Sequence, residues 1–205
     1  MADMDAFREA VVAWVAGGPG EPVHELAARL PVRAVVLVEG PSDVEAVGAL
    51  AERRGRNLAD EGICLLSMGG AMSVGRFAGL LGAPGLGLRL LGLCDEAERP
   101  YYARALGPVD GARQSFFVCA ADLEDELIRA LGVTRVEELV REEGELRALQ
   151  IFLRQPAQRD RDAGQRLRRF IGTKSGRKIR YGRVLVEALD QDRVPAPLDE
   201  LLTSL

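Results

Sequence analysis

The sequence predicts an α/β fold, in which a parallel β-sheet is covered by helices on both faces and followed by a helical C-terminal region. Four apolar stretches of strand length alternate with stretches whose apolar residues have helical spacing. After residue 124, helical patterns follow one another without an intervening strand. We therefore expect an N-terminal helical segment at 1–30, an α/β core at 31–124 and a helical region at 125–205.

The expected strands are short apolar runs, as in sheets that are buried on both faces. They cover residues 33–38, 62–68, 85–94 and 114–119. Helical spacing of apolar residues predicts two N-terminal helices, two helices between strands and four helices after the sheet. These cover residues 4–16, 22–30, 44–54, 72–81, 124–131, 135–150, 161–170 and 184–189.

Composition argues against several classes of protein. The three cysteines lie far apart in apolar segments, which favours buried thiols in a reducing cytoplasm over disulfides or a zinc site. His24 is the only histidine, so Ser-His and Cys-His mechanisms have little material to use. No apolar run approaches the roughly 20 residues that span a bilayer. We expect a cytoplasmic protein without a membrane partner.

Acidic residues recur where the predicted strands end. Because the carboxyl ends of parallel strands meet at one edge of a sheet, acids that are distant in sequence should converge there. Carboxylate oxygens suit hard divalent cations, so this edge is a candidate metal site. Taken singly, Asp43 and Asp122 are also explained as helix caps. The acids are Glu39 with Asp43, Asp95 with Glu96 and Glu98, and Asp122 with Glu124.

Basic residues are concentrated near the C-terminus, although the formal net charge is -4. Residues 165–183 contain eight basic side chains and no acid. Such a block on an acidic chain indicates a surface for a polyanion, and an exposed helix face with arginine stems packed over the core is the alternative. Glycines and small hydroxyls at 172–178 predict a loop whose N–H groups can hold phosphate oxygens.

Three segments together resemble the TOPRIM domain, the metal-binding module that topoisomerases, primases and several nucleases share. They are residues 36–43, the pair Gly69-Gly70, and residues 91–95. Residues 122–124 and 172–183 are similar to the C-terminal nuclease half of the overcoming-lysogenisation-defect (OLD) family. The resemblance implies a Rossmann-like TOPRIM sheet and a DNA nuclease, an endonuclease or nicking enzyme, that uses two Mg²⁺ or Mn²⁺ ions.

Residue roles follow from this resemblance by position. Glu39 and Asp95 would hold one ion, while Asp43, Asp122 and Glu124 would hold the other. Lys174 or Lys178 would neutralise charge on the scissile phosphate. The nucleic acid is expected to be DNA, with RNA left open. Its expected contacts are Arg169, Lys174, Arg177, Lys178, Arg180 and Arg183.

The sequence departs from the family pattern in two ways. TOPRIM domains carry a second acid two residues after the first, where this chain has Ala97. Glu96 or Glu98 can substitute, although Glu96 points away from Asp95 in an extended strand. A nucleic-acid-binding module with weakened catalysis is therefore an alternative function. A TOPRIM nucleotidyl transferase is a further alternative.

The second departure concerns the ATPase domain that precedes the nuclease half in OLD proteins. The sequence lacks the corresponding phosphate-binding motif, so we expect a stand-alone protein or one that takes its ATPase as a separate chain. The helix around Trp14 is expected to pack on the core, and a homodimer contact is the alternative.

Overall fold

The computed structural model describes residues 2–107 and 116–205, which form a four-stranded parallel sheet covered by helices. The strand order is β2-β1-β3-β4. This arrangement confirms the predicted α/β class. The strands are β1 (Ala34–Val38), β2 (Ile63–Ser67), β3 (Arg89–Asp95) and β4 (Phe116–Cys119). Residues 114 and 115 of the predicted fourth strand lie outside the described residues.

Eleven α-helices occur in the described residues. Five lie before β4 and six follow it, where the sequence predicts four in each place. As predicted, no further strand separates the later helices among the described residues. They are α1 (Ala2–Val15), α2 (Glu21–Arg29), α3 (Pro41–Arg53), α4 (Val74–Leu81), α5 (Arg99–Leu106), α6 (Leu123–Leu131), α7 (Val133–Glu142), α8 (Leu146–Leu153), α9 (Ala163–Gly172), α10 (Ser175–Glu187) and α11 (Ala196–Ser204).

Helices cover both faces of the sheet because the side chains of each strand alternate between them. Val35 and Leu37 of β1 belong to a core with residues of α1, α2, α4 and α5. Val36 and Val38 belong to the opposite core, with residues of α3 and of the helices after β4. The second core therefore joins the sheet to the C-terminal region.

Several element boundaries differ from the sequence expectations. Helix α3 begins at Pro41, three residues early, because Gly40 is extended and proline suits the first helical turn. Helix α5 was not predicted, and neither was α11. The helix expected at 135–150 is two helices, separated where Gly144 takes a φ of +73°.

The glycine-rich loop expected at 172–178 is much shorter in the structure. Helix α9 continues to Gly172, and α10 begins at Ser175, so only two residues separate the helices. Gly182 lies within α10, and its Cα faces the backbone of Ser42 in α3. Helices α3 and α10 pack against each other more extensively than any other pair of described helices.

Arginines of the sheet region bind backbone carbonyls of the C-terminal region. Arg53 donates to the carbonyls of Val186 and Leu189 at 2.6 and 2.7 Å. Three further arginines reach the last helix and the residue after it. They are Arg56 to Leu202 at 2.6 Å, Arg89 to Ser204 at 2.8 Å and Arg33 to Leu205 at 3.0 Å. The carbonyls lie at or just beyond the C-terminal ends of α10 and α11, where intrahelical donors run out.

The cysteines are free and buried, in agreement with their predicted role as apolar core residues. Burial raises the pKa of the Cys64 thiol to about 11 and that of Cys94 to about 12. In the part of the chain that the structure describes, no helix has the length and apolarity to cross a bilayer.

Candidate metal centre and basic cavity

The ends of β1 and β3 lie side by side at the C-terminal edge of the sheet. From β1 the chain passes to β2 on one side and later to β3 on the other. The direction in which strands are added to the parallel sheet therefore reverses between β1 and β3. Open α/β sheets form their ligand crevices at such a point. Glu39 follows β1 there, and Asp95 is the last residue of β3.

Glu98 joins Glu39 and Asp95 in one acidic group. Carboxylate oxygens of the three residues all lie within 4.8 Å of one another. The chain turns directly after Asp95, where the N–H of Glu98 donates to the Asp95 carbonyl at 3.0 Å. This turn brings Glu98 back beside Asp95. The Glu98 Oε2 atom is buried, with no hydrogen-bond partner among the described residues.

Glu96 does not enter the group. Its side chain is exposed, and its Oε1 accepts from Arg99 at 3.3 Å. Of the two substitutes considered for the acid missing at Ala97, the geometry therefore favours Glu98. The expectation that Glu96 points away from Asp95 agrees with its position.

Burial and mutual repulsion disfavour the charged forms of these acids. The pKa of Asp95 is raised to about 8, mainly by burial and then by the charges of Asp122, Glu98, Glu39 and Asp43. Burial and the Glu39 charge also raise the pKa of Glu98. A group of this kind gains stability from a bound cation.

Asp43, Asp122 and Glu124 line the same cavity as Glu39 and Asp95, an open space of about 320 Å³. The Asp43 Oδ2 accepts from the Gly40 N–H at 2.9 Å, and burial raises the pKa of Asp43 to about 6. Asp122 caps α6, where its Oδ1 accepts from the Asp125 N–H at 2.8 Å. Both acids thus serve as helix-end acceptors and also face the cavity.

Cations of the C-terminal helices approach two of these acids. The Arg168 Nε donates to Asp122 Oδ2 at 2.5 Å. The Lys178 Nζ lies 3.3 Å from Glu124 Oε2. Burial nevertheless raises the pKa of Glu124 to about 7, against the effect of Lys178. Burial lowers the pKa of Lys178, but Glu124 and Asp43 outweigh it and leave that pKa above its usual value.

The backbone of Gly69 and Gly70 closes another side of the acidic cavity. Both residues have positive φ, at +69° and +130°, which glycine adopts without strain. The Gly70 N–H donates to the carbonyl of Glu39 at 3.2 Å. The predicted Gly69-Gly70 motif thus holds the residue that begins the acidic group.

A second, basic cavity of about 660 Å³ adjoins the acidic one. The two share Asp122, Glu124 and Lys178, and α9 supplies much of the remaining wall. Arg161 and Arg169 line it, and neither guanidinium has an acidic partner among the described residues. The other residues of this wall are Gln165, Arg168, Gly172 and Thr173.

The structure distributes the predicted nucleic-acid contacts unevenly. Arg169 and Lys178 line the basic cavity. Lys174 is exposed at the start of α10 and lines neither cavity.

Three predicted contact arginines are engaged within the protein. Arg177 is buried, its Nε lies 2.5 Å from Glu145 Oε2, and its guanidinium stacks on the Phe170 ring. Arg180 pairs with Glu143 at 3.0 Å and with Glu145 at 2.9 Å. Arg183 pairs with Glu45, Glu52 and Glu187. These three arginines line neither cavity, and together with their ion pairs this argues against a role in substrate contact.

Sequence reasoning missed Arg161 and did not place Arg168 at the site. A usable signal exists for Arg168, which lies three residues after Gln165 on one face of α9, whereas Arg161 precedes that helix. Asp160 and Asp162 flank Arg161, so a count of charge along the chain does not single out this arginine.

Comparison with known proteins agrees with this geometry. Residues 32–96 match the family model "Overcoming lysogenization defect protein-like, TOPRIM domain". The C-terminal region of the Xanthomonas campestris pv. campestris OLD protein is 28% identical, with a TM-score of 0.61, over 84% of this chain and 93% of that one. No curated protein matches the sequence.

The C-terminal region of the Burkholderia pseudomallei OLD protein shares the fold at 21% identity and a TM-score of 0.63. That alignment covers 84% of this chain and 96% of the other. Both similarities extend well beyond the matched residues into the helices that follow the sheet. Residues 32–96 therefore form a TOPRIM domain of the OLD-like family, within a chain that shares its fold with the C-terminal regions of OLD proteins.

Proposed function

We propose that this protein is a metal-dependent nuclease that hydrolyses phosphodiester bonds of DNA. The observation that carries the proposal is the common wall of the acidic and basic cavities, formed by Asp122, Glu124 and Lys178. A phosphodiester strand needs cations along its backbone and, for cleavage, metal ligands at one phosphate. The two cavities supply these in adjoining spaces.

The residues present fit divalent metal ions. Glu39, Asp95 and Glu98 offer oxygen atoms within 4.8 Å of one another, and a buried Glu98 oxygen lacks a partner among the described residues. Oxygen donors of this charge suit Mg²⁺ or Mn²⁺. We assign one ion to these three residues. The second would be held by Asp43, Asp122 and Glu124.

Two bound ions would supply an activated water and charge stabilisation at the leaving oxygen. The protein's own side chains bind and orient the strand. Lys178 reaches both cavities, so its ammonium can neutralise a phosphate that lies between them. Arg161 and Arg169 can hold neighbouring phosphates without giving up an ion pair.

The test is cleavage of supercoiled plasmid DNA with Mn²⁺ or Mg²⁺. We expect nicking or linearisation by the wild type and loss of at least about a hundredfold in rate in Glu39→Gln, since the variant loses a metal ligand. Glu96→Gln is the matched control, because it removes an acid from the same edge of the sheet but outside the acidic group. Equal inactivity of wild type and Glu39→Gln with both metals would refute the proposal.

Salt-sensitive DNA binding without cleavage would instead favour the weakened binding module. Labelled RNA of the same sequence, in a parallel assay, decides between the two nucleic acids. A separate ATPase chain, a homodimer and a cytoplasmic location stay predictions from the sequence. So does the role of Lys174 at the scissile phosphate.

A further inference from the structure

The two halves of the metal centre differ in the cations that surround them. In the described part of the chain, no lysine or arginine forms an ion pair with Glu39, Asp95 or Glu98. In the other half, Arg168 pairs with Asp122 and Lys178 pairs with Glu124. The acids of one half thus have no cationic partner, whereas two of the three acids in the other half are paired and Asp43 accepts only from the Gly40 N–H.

Asp122 and Glu124 are positioned by contacts other than those to their cations. Asp122 uses its other oxygen to cap α6, and that bond to the Asp125 N–H does not involve Arg168. The Glu124 side chain is 5% exposed and lies in the first turn of the same helix. Because a buried carboxylate requires a counter-charge, Glu124 would bind another cation favourably if Lys178 moved away.

The cations are less buried than the acids they pair with. The side chains of Arg168 and Lys178 are 39% and 43% exposed, and both line the basic cavity. Both have long flexible stems, so a phosphate in that cavity is within reach by rotation about side-chain bonds. A bidentate guanidinium–phosphate pair is at least as favourable as the single bond to Asp122.

A divalent ion at Asp122 and Glu124 would face Arg168 and Lys178 across only a few ångströms. Like charges at that distance repel strongly in a partly buried site. A substrate phosphate removes this obstacle in two ways, because it attracts both cations and adds negative charge beside the ion.

We propose that the metal centre loads in order. Glu39, Asp95 and Glu98 take one divalent ion in the free protein, and Asp43, Asp122 and Glu124 take the second when a substrate phosphate draws Arg168 and Lys178 into the basic cavity. This inference rests on the proposed nuclease function and adds a dependence of metal occupancy on substrate. Arg168 is then a positioning residue that keeps the centre incomplete until a strand is bound.

The experiment counts Mn²⁺ ions bound per chain by isothermal titration calorimetry of the full chain. The wild type should bind one ion tightly. Arg168→Met removes the charge with little change in volume and should tighten the second ion by about tenfold or more, so that two are counted without substrate. Arg169→Met is the matched control, because it removes a cation from the same helix and cavity that contacts no acid, and one ion is expected.

A second arm uses a short phosphorothioate DNA oligonucleotide, which resists hydrolysis, with the oligonucleotide alone as a blank. The wild type saturated with it should bind two ions. Glu39→Gln identifies the first site, because the free variant should lose its tight ion. Arg168→Gln serves in place of Arg168→Met if the latter fails to unfold cooperatively.

The possible results separate the two proposals. Two tight ions in the free wild type, or one ion in Arg168→Met and in the oligonucleotide complex, would overturn ordered loading and leave the nuclease proposal intact. No bound ion in any of these samples would overturn the metal-dependent function itself, and ordered loading with it.

Discussion

Gly182→Ala tests the contact between α3, which carries Asp43, and α10, which carries Lys178. Gly182 lies inside α10, where a Cβ atom would sit 2.4 Å from the Ser42 carbonyl oxygen and 3.2 Å from the carbonyl carbon. Ordinary contacts of a Cβ begin at 3.4 Å. The obstacle is backbone at the start of α3, so it cannot rotate away as a side chain would. Helices α3 and α10 must therefore separate by about 1 Å.

Two opposing effects set the size of the change. In a helix interior, alanine is more favourable than glycine by about 1 kcal/mol. Overpacking a close contact costs about 1–3 kcal/mol, and a clash with backbone belongs at the upper end. We expect a net loss of about 1–2 kcal/mol in the free energy of unfolding, which lowers the Tm by about 2–8 °C for a chain of this size.

Urea denaturation followed by circular dichroism measures this loss. Gly176→Ala is the matched control, because Gly176 lies in the same helix with no atom within 4 Å of the added Cβ. It should be neutral or stabilising by up to about 1 kcal/mol. If Gly182→Ala is as stable as the wild type while Gly176→Ala behaves as stated, the close approach of α10 to Ser42 is wrong.

Three further outcomes follow from the buried charges. Because the pKa of Asp95 is raised from 3.8 to about 8 in the folded state, the folded protein holds that proton more tightly than the unfolded chain. The stability of the metal-free protein should therefore fall as pH rises from about 4 to 8 in EDTA; a free energy of unfolding that rises over this range contradicts the raised pKa. Asp95→Asn should stabilise the metal-free protein at pH 8 by about 1–2 kcal/mol, because solvent screening of this partly exposed group reduces the roughly 6 kcal/mol that about four pKa units represent in full. The variant should also lose tight Mn²⁺ binding, and a destabilised variant would count against charge repulsion. Arg177→Met should cost about 3–5 kcal/mol, because Arg177 is buried and Glu145 would lose its close partner; a cost below about 1 kcal/mol, measured by urea denaturation, contradicts this role.

The sheet and the first acid of the site are predictable from local sequence. The apolar run before Glu39 leaves few alternatives to a buried strand, and the turn at Gly40 fixes where the acid lies. Three strand-end acid groups then converge because parallel strands share one edge. The α/β class and the presence of an acidic cavity follow from these patterns alone.

The role of Glu98 was harder to predict. Alternation along a strand orders side chains only while the chain remains extended, and the chain turns immediately after Asp95. Helix α5 begins at the next residue after Glu98, and Pro100 in its first turn is its main signal in the sequence. Without knowledge of that helix, the sequence does not show whether Glu96 or Glu98 lies closer to Asp95.

The basic block shows a second limit of sequence reasoning. Counting charge along residues 165–183 cannot reveal acids that pack against them from elsewhere. Arg183 pairs with Glu45 and Glu52, more than 130 residues away, and the partners of Arg177 and Arg180 lie 32 to 37 residues upstream. Tertiary packing decides which of these charges remain available to a phosphate.

The arginines that bind carbonyls at the end of the chain bear on where the protein can be divided. The core shared by the sheet and the later helices crosses the expected boundary at residue 124, and these hydrogen bonds cross it as well. A fragment ending there would keep only α3 on one face of its sheet and would expose to water the area that the later helices cover. It would also retain the acids of the site while losing Arg168 and Lys178. Cutting at this point would therefore remove both the helices that complete the core and the cations that pair with acids of the site. The segments before and after residue 124 are halves of one folding unit.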